Sequence, residues 1–141
     1  MDMAITFHPK QGTVLICDYS GFILPEMIKK RPVVIVSPTS RKQQQLYTVV
    51  PLSTTKPTPI EPHHHKMNPL SLPGEYAEEE TWAKCDMIAT VSIARFDRIK
   101  LGKNANGKRQ YVTHHVIKED LDAIIKGLLK ALGLSALTQH L

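Results

Sequence analysis

Apolar positions come along this chain in short runs of strand length as far as residue 116, and then their period lengthens. Thr13-Val14-Leu15-Ile16-Cys17, directly after Gly12, is the first run, and Val33-Val34-Ile35-Val36, bounded by Pro32 and Pro38, is the second. Leu46 to Leu52 is the third, with Tyr47, Thr48, Val49 and Val50 all favouring strands. Trp82 to Ile93 contains a fourth, in which Met87, Ile88, Val91 and Ile93 are interrupted by small polar residues. Two further strands are predicted near Arg98–Leu101 and Gln110–Val116, separated by the turn-forming Asn104-Ala105-Asn106-Gly107. Runs this short and closely spaced predict a small, strongly curved antiparallel sheet or barrel rather than a doubly wound sheet.

From Ile117 the pattern is helical: Ile117, Leu121, Ile124, Ile125, Leu128, Leu129 and Leu132 fall on one face. Glu119, Asp120 and Asp122 occupy its first turns and Lys126 and Lys130 its last, which complements the helix dipole, and Gly133 is placed to stop it. The apolar stripe is expected to pack on the sheet; binding a partner is the other use for such a face. The class is therefore α+β. Between Lys56 and Thr81 lies the least regular stretch, with Pro57, Pro59, Pro62, Pro69 and Pro73. It is too long for an ordinary hairpin loop and is expected to be functional.

The length of 141 residues fits one domain over 1–141, carrying an irregular Pro/His-rich insertion at about 56–81. Apolar residues at 42% and charged residues at 22% exclude wholesale disorder. No apolar run reaches the ~18–20 residues of a membrane span, and MDMAITFHPKQG lacks the pattern of a secretory signal. Cys17 and Cys85 lie far apart in apolar runs, outside any CxxC spacing, and are expected to be buried free thiols of a cytoplasmic protein.

Charge sharpens the picture. The net +5 comes from 18 Lys+Arg against 13 Asp+Glu. From Glu26 to Lys42 one acid faces Lys29, Lys30, Arg31, Arg41 and Lys42, or +4. From Arg95 to Arg109, Asp97 faces Arg95, Arg98, Lys100, Lys103, Lys108 and Arg109, or +5. The rest of the chain is thus −4, part of it in the run Glu75, Glu78, Glu79, Glu80. Two basic segments in an otherwise acidic chain suggest a phosphate-binding face, although solvated loops also carry such runs.

Two local patterns carry chemistry. In Glu26-Met-Ile-Lys-Lys-Arg31-Pro32, the proline biases Arg31 towards an extended conformation at a loop–strand junction, where its planar fork can face a phosphate. In Val50-Pro51-Leu52-Ser53-Thr54-Thr55, Pro51 belongs at an edge, bulge or strand end, so the hydroxyls of Ser53 and Thr54 follow at a rim. Taken singly, Arg31 also suits a surface ion pair and Ser53 a turn.

In this order the chain resembles the MazF/PemK (Kid) family of toxin–antitoxin ribonucleases. The matching pieces are Gly12-Thr-Val-Leu, Glu26…Arg31-Pro32-Val-Val-Ile-Val, Val49-Val-Pro-Leu-Ser-Thr54 and Lys84-Cys-Asp86-Met-Ile-Ala-Thr90, spread over about residues 8–132. The resemblance implies an SH3-like antiparallel β-barrel with a C-terminal α-helix, assembled as a homodimer whose joint groove holds single-stranded RNA. It implies a metal-independent, sequence-specific endoribonuclease that uses the 2′-hydroxyl of mRNA as nucleophile and leaves a cyclic phosphate. It further implies a cognate antitoxin protein, operator DNA binding only together with that antitoxin, no membrane, and no cofactor or metal.

Carried over by residue, Arg31 matches the catalytic arginine and is expected to stabilise the phosphorane; a guanidinium, with pKa above about 12, is a poor proton source by itself. Ser53 stands where many members have threonine and is expected to orient phosphate or ribose. Glu26 is expected to orient Arg31 or act as base, and Asp86 matches a proposed base. Pro25 stands where some members carry a histidine implicated in the reaction, and Lys84 where one branch has arginine, which keeps charge but loses bidentate geometry. Lys29, Lys30, Thr54, Thr55, Trp82 and Lys84 are the expected RNA contacts, Trp82 by stacking or else by packing in the core. For His63-His64-His65 three readings stay open: a solvated loop, an RNA-contacting flap, or metal binding, for which the run by itself lacks convergent spacing. The rival functions are a non-catalytic SH3-like module that binds nucleic acid or protein, and a metal-dependent nuclease using the histidines.

Overall fold

The computed structural model describes residues 5–38 and 45–141; Arg41 and Lys42, two of the cations counted above, lie outside the described residues. The strands are β1 (Thr13–Asp18), β2 (Lys30–Ile35), β3 (Leu46–Ser53), β4 (His64–Lys66), β5 (Trp82–Lys84), β6 (Ala89–Ser92), β7 (Phe96–Asp97), β8 (Ile99–Lys103), β9 (Arg109–Val112) and β10 (His114–His115). The α-helix α1 spans Lys118–Ala131. The main sheet is ordered β10-β1-β2-β3-β5-β4, with β6 also on β3 and β7 also on β1, and its paired strands are antiparallel. The β8–β9 hairpin stands apart, and its turn is closed by Asn104, whose Oδ1 accepts from the Asn106 and Lys108 amides. The α+β class and the C-terminal helix are as the periodicity predicts.

The central strands read as continuous apolar runs because both of their faces are covered. Leu15, Cys17, Val33, Ile35, Tyr47 and Val49 pack on one side with Val91, Ile93 and Phe96. Val14, Val34, Val50 and Leu52 pack on the other with Ala83, Cys85, Ile99 and Ile124 of α1. The helix stripe thus meets the sheet, with Ile124 fully buried. A side chain of that size contributes roughly 1.5–3 kcal/mol when removed from water.

Residues 82–93 form not one strand but two, with a 3-10 turn at Cys85–Met87 between them. Both strands pair with β3. The Leu52–Ala83 register, continued, would bring Asp86 opposite Val49, but Val49 pairs with Ala89, three residues further on. That offset equals the three residues of the turn, which therefore acts as a large bulge and lifts Asp86 out of the ladder.

The 56–81 stretch is also more ordered than its prolines suggest. It contains β4 and two 3-10 turns, Pro69–Ser71 and Gly74–Glu78. It is fastened to α1 by Asp120, which is 3% exposed. The Asp120 carboxylate accepts from His65 Nε2 at 2.7 Å, the Asn68 amide at 3.0 Å and the Ser71 hydroxyl. Ser71 Oγ in turn accepts from the Ile117 amide at the start of the helix, at 2.9 Å. Cys85 is held from the other side. A Cβ on Gly127 of α1 would stand 2.8 Å from Cys85 Sγ and 3.0 Å from the His63 carbonyl oxygen, so glycine is required for this approach.

Candidate active site

The two leading candidates lie on neighbouring strands, Arg31 on β2 and Ser53 at the end of β3. The β2–β3 ladder runs from Ile35–Val49 to Val33–Pro51 and stops two residues short of Arg31 and Ser53, and Ser53 itself pairs with Trp82 of β5. Arg31 pairs with Cys17 of β1. Arg31 is half-buried, and its Nε is buried with no hydrogen-bond partner among the described residues; the same holds for Arg98 Nε. Burial pushes the Tyr19 phenol upwards, and the nearby Arg31 charge offsets part of that push. Leaving a buried Nε unsatisfied costs about 1–3 kcal/mol, a cost that a polar ligand would offset.

Ser53 is buried and its Oγ accepts from the Thr55 amide at 3.1 Å, which fixes the exposed Thr54-Thr55 turn while leaving the Ser53 proton free to donate. Glu26 is exposed at the end of the β1–β2 loop. Its Oε1 accepts from the Ile23 amide at 2.6 Å, so the carboxylate is held in place by its own turn. Glu26 and Asp86 line one cavity of about 310 Å³ together with Tyr19, Phe22, Met27 and Met87. Arg31 and Ser53 are not among its walls; Tyr19 is the link between the two groups.

Arg95 has a role that the sequence conceals. Its guanidinium donates to the Asp18 and Ser20 carbonyls, both at 2.8 Å, and sits 5.1 Å from the centre of the Phe22 ring. It clamps the start of the loop that carries Tyr19 and Glu26. In the sequence it is one cation among several, and no local pattern distinguishes it.

The histidine run separates into three different environments. His65 goes to Asp120, as described. His64 Nδ1 accepts from the Glu61 amide at 2.9 Å, and its ring lies 4.2 Å from that of His63. His63 Nε2 lies 3.4 Å from Asp86 Oδ2. The donor atoms of His63, His64 and Asp86 all fall within 4.8 Å of one another, a set that could hold a metal ion. Burial, then the neighbouring His63 charge, pushes the His64 imidazole below its ordinary range. The third member of this cluster is remote in sequence, which is why the run alone shows no convergent spacing.

The expected RNA contacts divide by face. Lys29 and Lys30 are exposed, and Lys84 is half-buried on β5 opposite His64. Trp82 is buried, with its indole N–H donated to Glu80 at 3.1 Å, which gives it a packing role within this chain. Lys30 lines a second cavity, of about 320 Å³, with Asp18, Arg95, Arg98 and Lys100. The two basic segments therefore meet in space. Arg98 lies 4.2 Å from the centre of the Tyr111 ring.

YifN of Escherichia coli is 29% identical over 149 aligned positions, covering 89% of this chain and 95% of YifN. An endoribonuclease from a mycobacterial species superposes with a TM-score of 0.62 at 23% identity, covering 89% of this chain and 92% of that one. A mycobacterial endoribonuclease in complex with its cognate antitoxin gives 0.61 at 22%, covering 90% and 97%. At these identities the superpositions show a shared fold. The model of the PemK-like, MazF-like toxins of type II toxin–antitoxin systems matches residues 10–128, and this chain belongs to that family.

Proposed function

We propose that this protein is a sequence-specific, metal-independent endoribonuclease toxin acting on single-stranded mRNA and neutralised by a cognate antitoxin. The observation that carries the reading is the half-buried Arg31 guanidinium, with its unsatisfied buried Nε, on the strand next to the one that ends in Ser53, whose hydroxyl is pinned by its own turn. A guanidinium so placed favours a dianionic phosphorane over the monoanionic diester, the differential binding that lowers a barrier. Ser53 donates to a phosphate or ribose oxygen and holds the scissile linkage in register. Glu26 orients from the loop, and Asp86 faces the same cavity. Lys29, Lys30, Lys84, Thr54 and Thr55 hold the RNA backbone on either side, and the cation-lined cavity at Lys30, Arg95, Arg98 and Lys100 extends that track.

The fold shared with an antitoxin-bound endoribonuclease supports an antitoxin as the natural protein partner. A homodimer, operator DNA binding together with antitoxin, one domain spanning 1–141 and a cytoplasmic location belong to the same reading. The test is incubation of the purified chain with long RNA in EDTA. Persistent cutting that leaves 2′,3′-cyclic phosphate ends and stops at a 2′-deoxy position is the expected result. Binding without cutting, or cutting that EDTA abolishes, would overturn it.

A further inference from the structure

In the cluster of His63, His64 and Asp86, the two histidines have no part in the roles above. Two physical uses fit two imidazoles and a carboxylate at this spacing: holding a divalent metal, or moving protons. Tetrahedral zinc with bonds of about 2.0–2.1 Å sets its donors roughly 3.3 Å apart. His63 Nε2 and Asp86 Oδ2 meet that spacing at 3.4 Å, but His64 Nδ1 already accepts the Glu61 amide and is not free to join them. That amide also leaves the ring proton of neutral His64 on Nε2. His63 is different. Its Nε2 sits at ion-pair distance from a carboxylate, and its side chain is 21% exposed against 46% for Asp86, so an RNA strand can reach both. Unliganded sites commonly hold such pairs slightly long, tightening when substrate closes over them.

We propose that His63, oriented by Asp86, is the catalytic base of RNA cleavage, with His64 presenting its Nε2–H to the reacting phosphate. The inference rests on the endoribonuclease reading above, to which His63 is joined through Asp86, a wall of the Glu26 cavity. The 2′-oxygen attacks phosphorus and gives its proton to the free ring nitrogen of His63. The P–O2′ bond forms and the P–O5′ bond breaks. The departing 5′-oxygen takes a proton from water, and His63 later returns its own to solvent. The net change is one proton moved from O2′ to O5′, with no other reagent. Asp86 stabilises the imidazolium while it exists, as the orienting carboxylate of a catalytic triad does, here from an exposed position.

Three features of the fold converge on this pair. The three-residue offset of β5 and β6 lifts Asp86 out of the sheet. Gly127 lets the helix press against both Cys85 and the His63 backbone. The Asp120 anchor fixes β4, the strand that directly follows His63.

The experiment compares wild type, His63→Ala, His63→Gln and Asp86→Asn on one RNA substrate in EDTA, reading kcat and KM separately, with and without added imidazole. The expected result is a loss of about 100-fold or more in kcat for His63→Ala, KM within about threefold, and partial recovery with imidazole but none for Asp86→Asn. The glutamine variant controls for folding, checked by its melting curve. A His63→Ala enzyme within threefold of wild-type kcat, or a loss confined to KM, removes this inference alone. A wild-type protein inert towards RNA removes the endoribonuclease reading and this inference with it. EDTA-sensitive cutting hands the cluster to a metal and overturns both.

Discussion

His65 Nε2 lies 2.7 Å from Oδ1 of Asp120, a carboxylate buried in the first turn of α1, and this contact joins the 56–81 insertion to the helix. Asp120 sits where helix-dipole arguments favour an acid, yet its oxygens go to the insertion.

Asp120→Ala is expected to destabilise the protein by about 2–4 kcal/mol, because it leaves His65, the Asn68 amide and the Ser71 hydroxyl without their acceptor. A lowered midpoint in urea, with new proteolytic cleavage confined to residues 56–81, is the expected pattern. An unchanged midpoint would show that the anchor contributes nothing.

Arg31→Ala and Arg31→Lys are both expected to reduce cleavage by at least about 100-fold, on the scale of losing one charge-stabilising donor. Lysine should not restore activity, since a point charge does not reproduce the guanidinium fork. Both variants should fold, because the Arg31 side chain makes no hydrogen bond through Nε among the described residues. Activity assays alongside melting curves decide the matter.

Gly127→Ala is expected to lower stability even though alanine is better than glycine in a helix interior by about 1 kcal/mol. The new Cβ would press on Cys85 Sγ at 2.8 Å and on the His63 carbonyl at 3.0 Å. The double change Gly127→Ala with Cys85→Ala should recover part of the loss, as read by thermal unfolding, because it removes the sulfur but not the carbonyl contact.

The thiols offer a pH test. Cys17 and Cys85 are free and buried, and burial pushes both from about 9.0 up to about 12. The folded protein keeps protons that the unfolded chain surrenders above pH 9. Stability is therefore fully present below that pH and falls as pH rises towards 12, by at most about 1.4 kcal/mol per pH unit for each thiol. In the native protein at pH 8, both should resist a thiol-specific reagent and react fully in denaturant. Rapid native labelling would contradict their burial.

Much of the fold is legible in the residues. Prolines 32, 38 and 51 punctuate the apolar runs that become β2 and β3, and Gly133 ends a helix whose stripe was plain from Ile117 onwards. What escapes is whatever depends on single side chains meeting across the chain. The Asp120 anchor links positions about fifty residues apart, and the two-residue strand β7 is defined only by its pairing with β1. The break between β5 and β6 has no local signal, since Cys85-Asp86-Met87 would pass equally well as strand. Arg31 and Ser53 were identifiable because Pro32 and Pro51 mark their places. His63 and Asp86 were each visible, but their meeting was not.

Lys30 and Arg31 are neighbours in sequence but lie on a strand, where successive side chains project to opposite faces. Lys30 lines the basic cavity, while Arg31 is not among that cavity's walls. An RNA that touches both must bend around the end of β1 and β2 rather than lie flat across one surface. A dinucleotide is too short for that path. Turnover should therefore rise steeply with substrate length and then level off, so that the protein measures a stretch of strand as well as recognising bases.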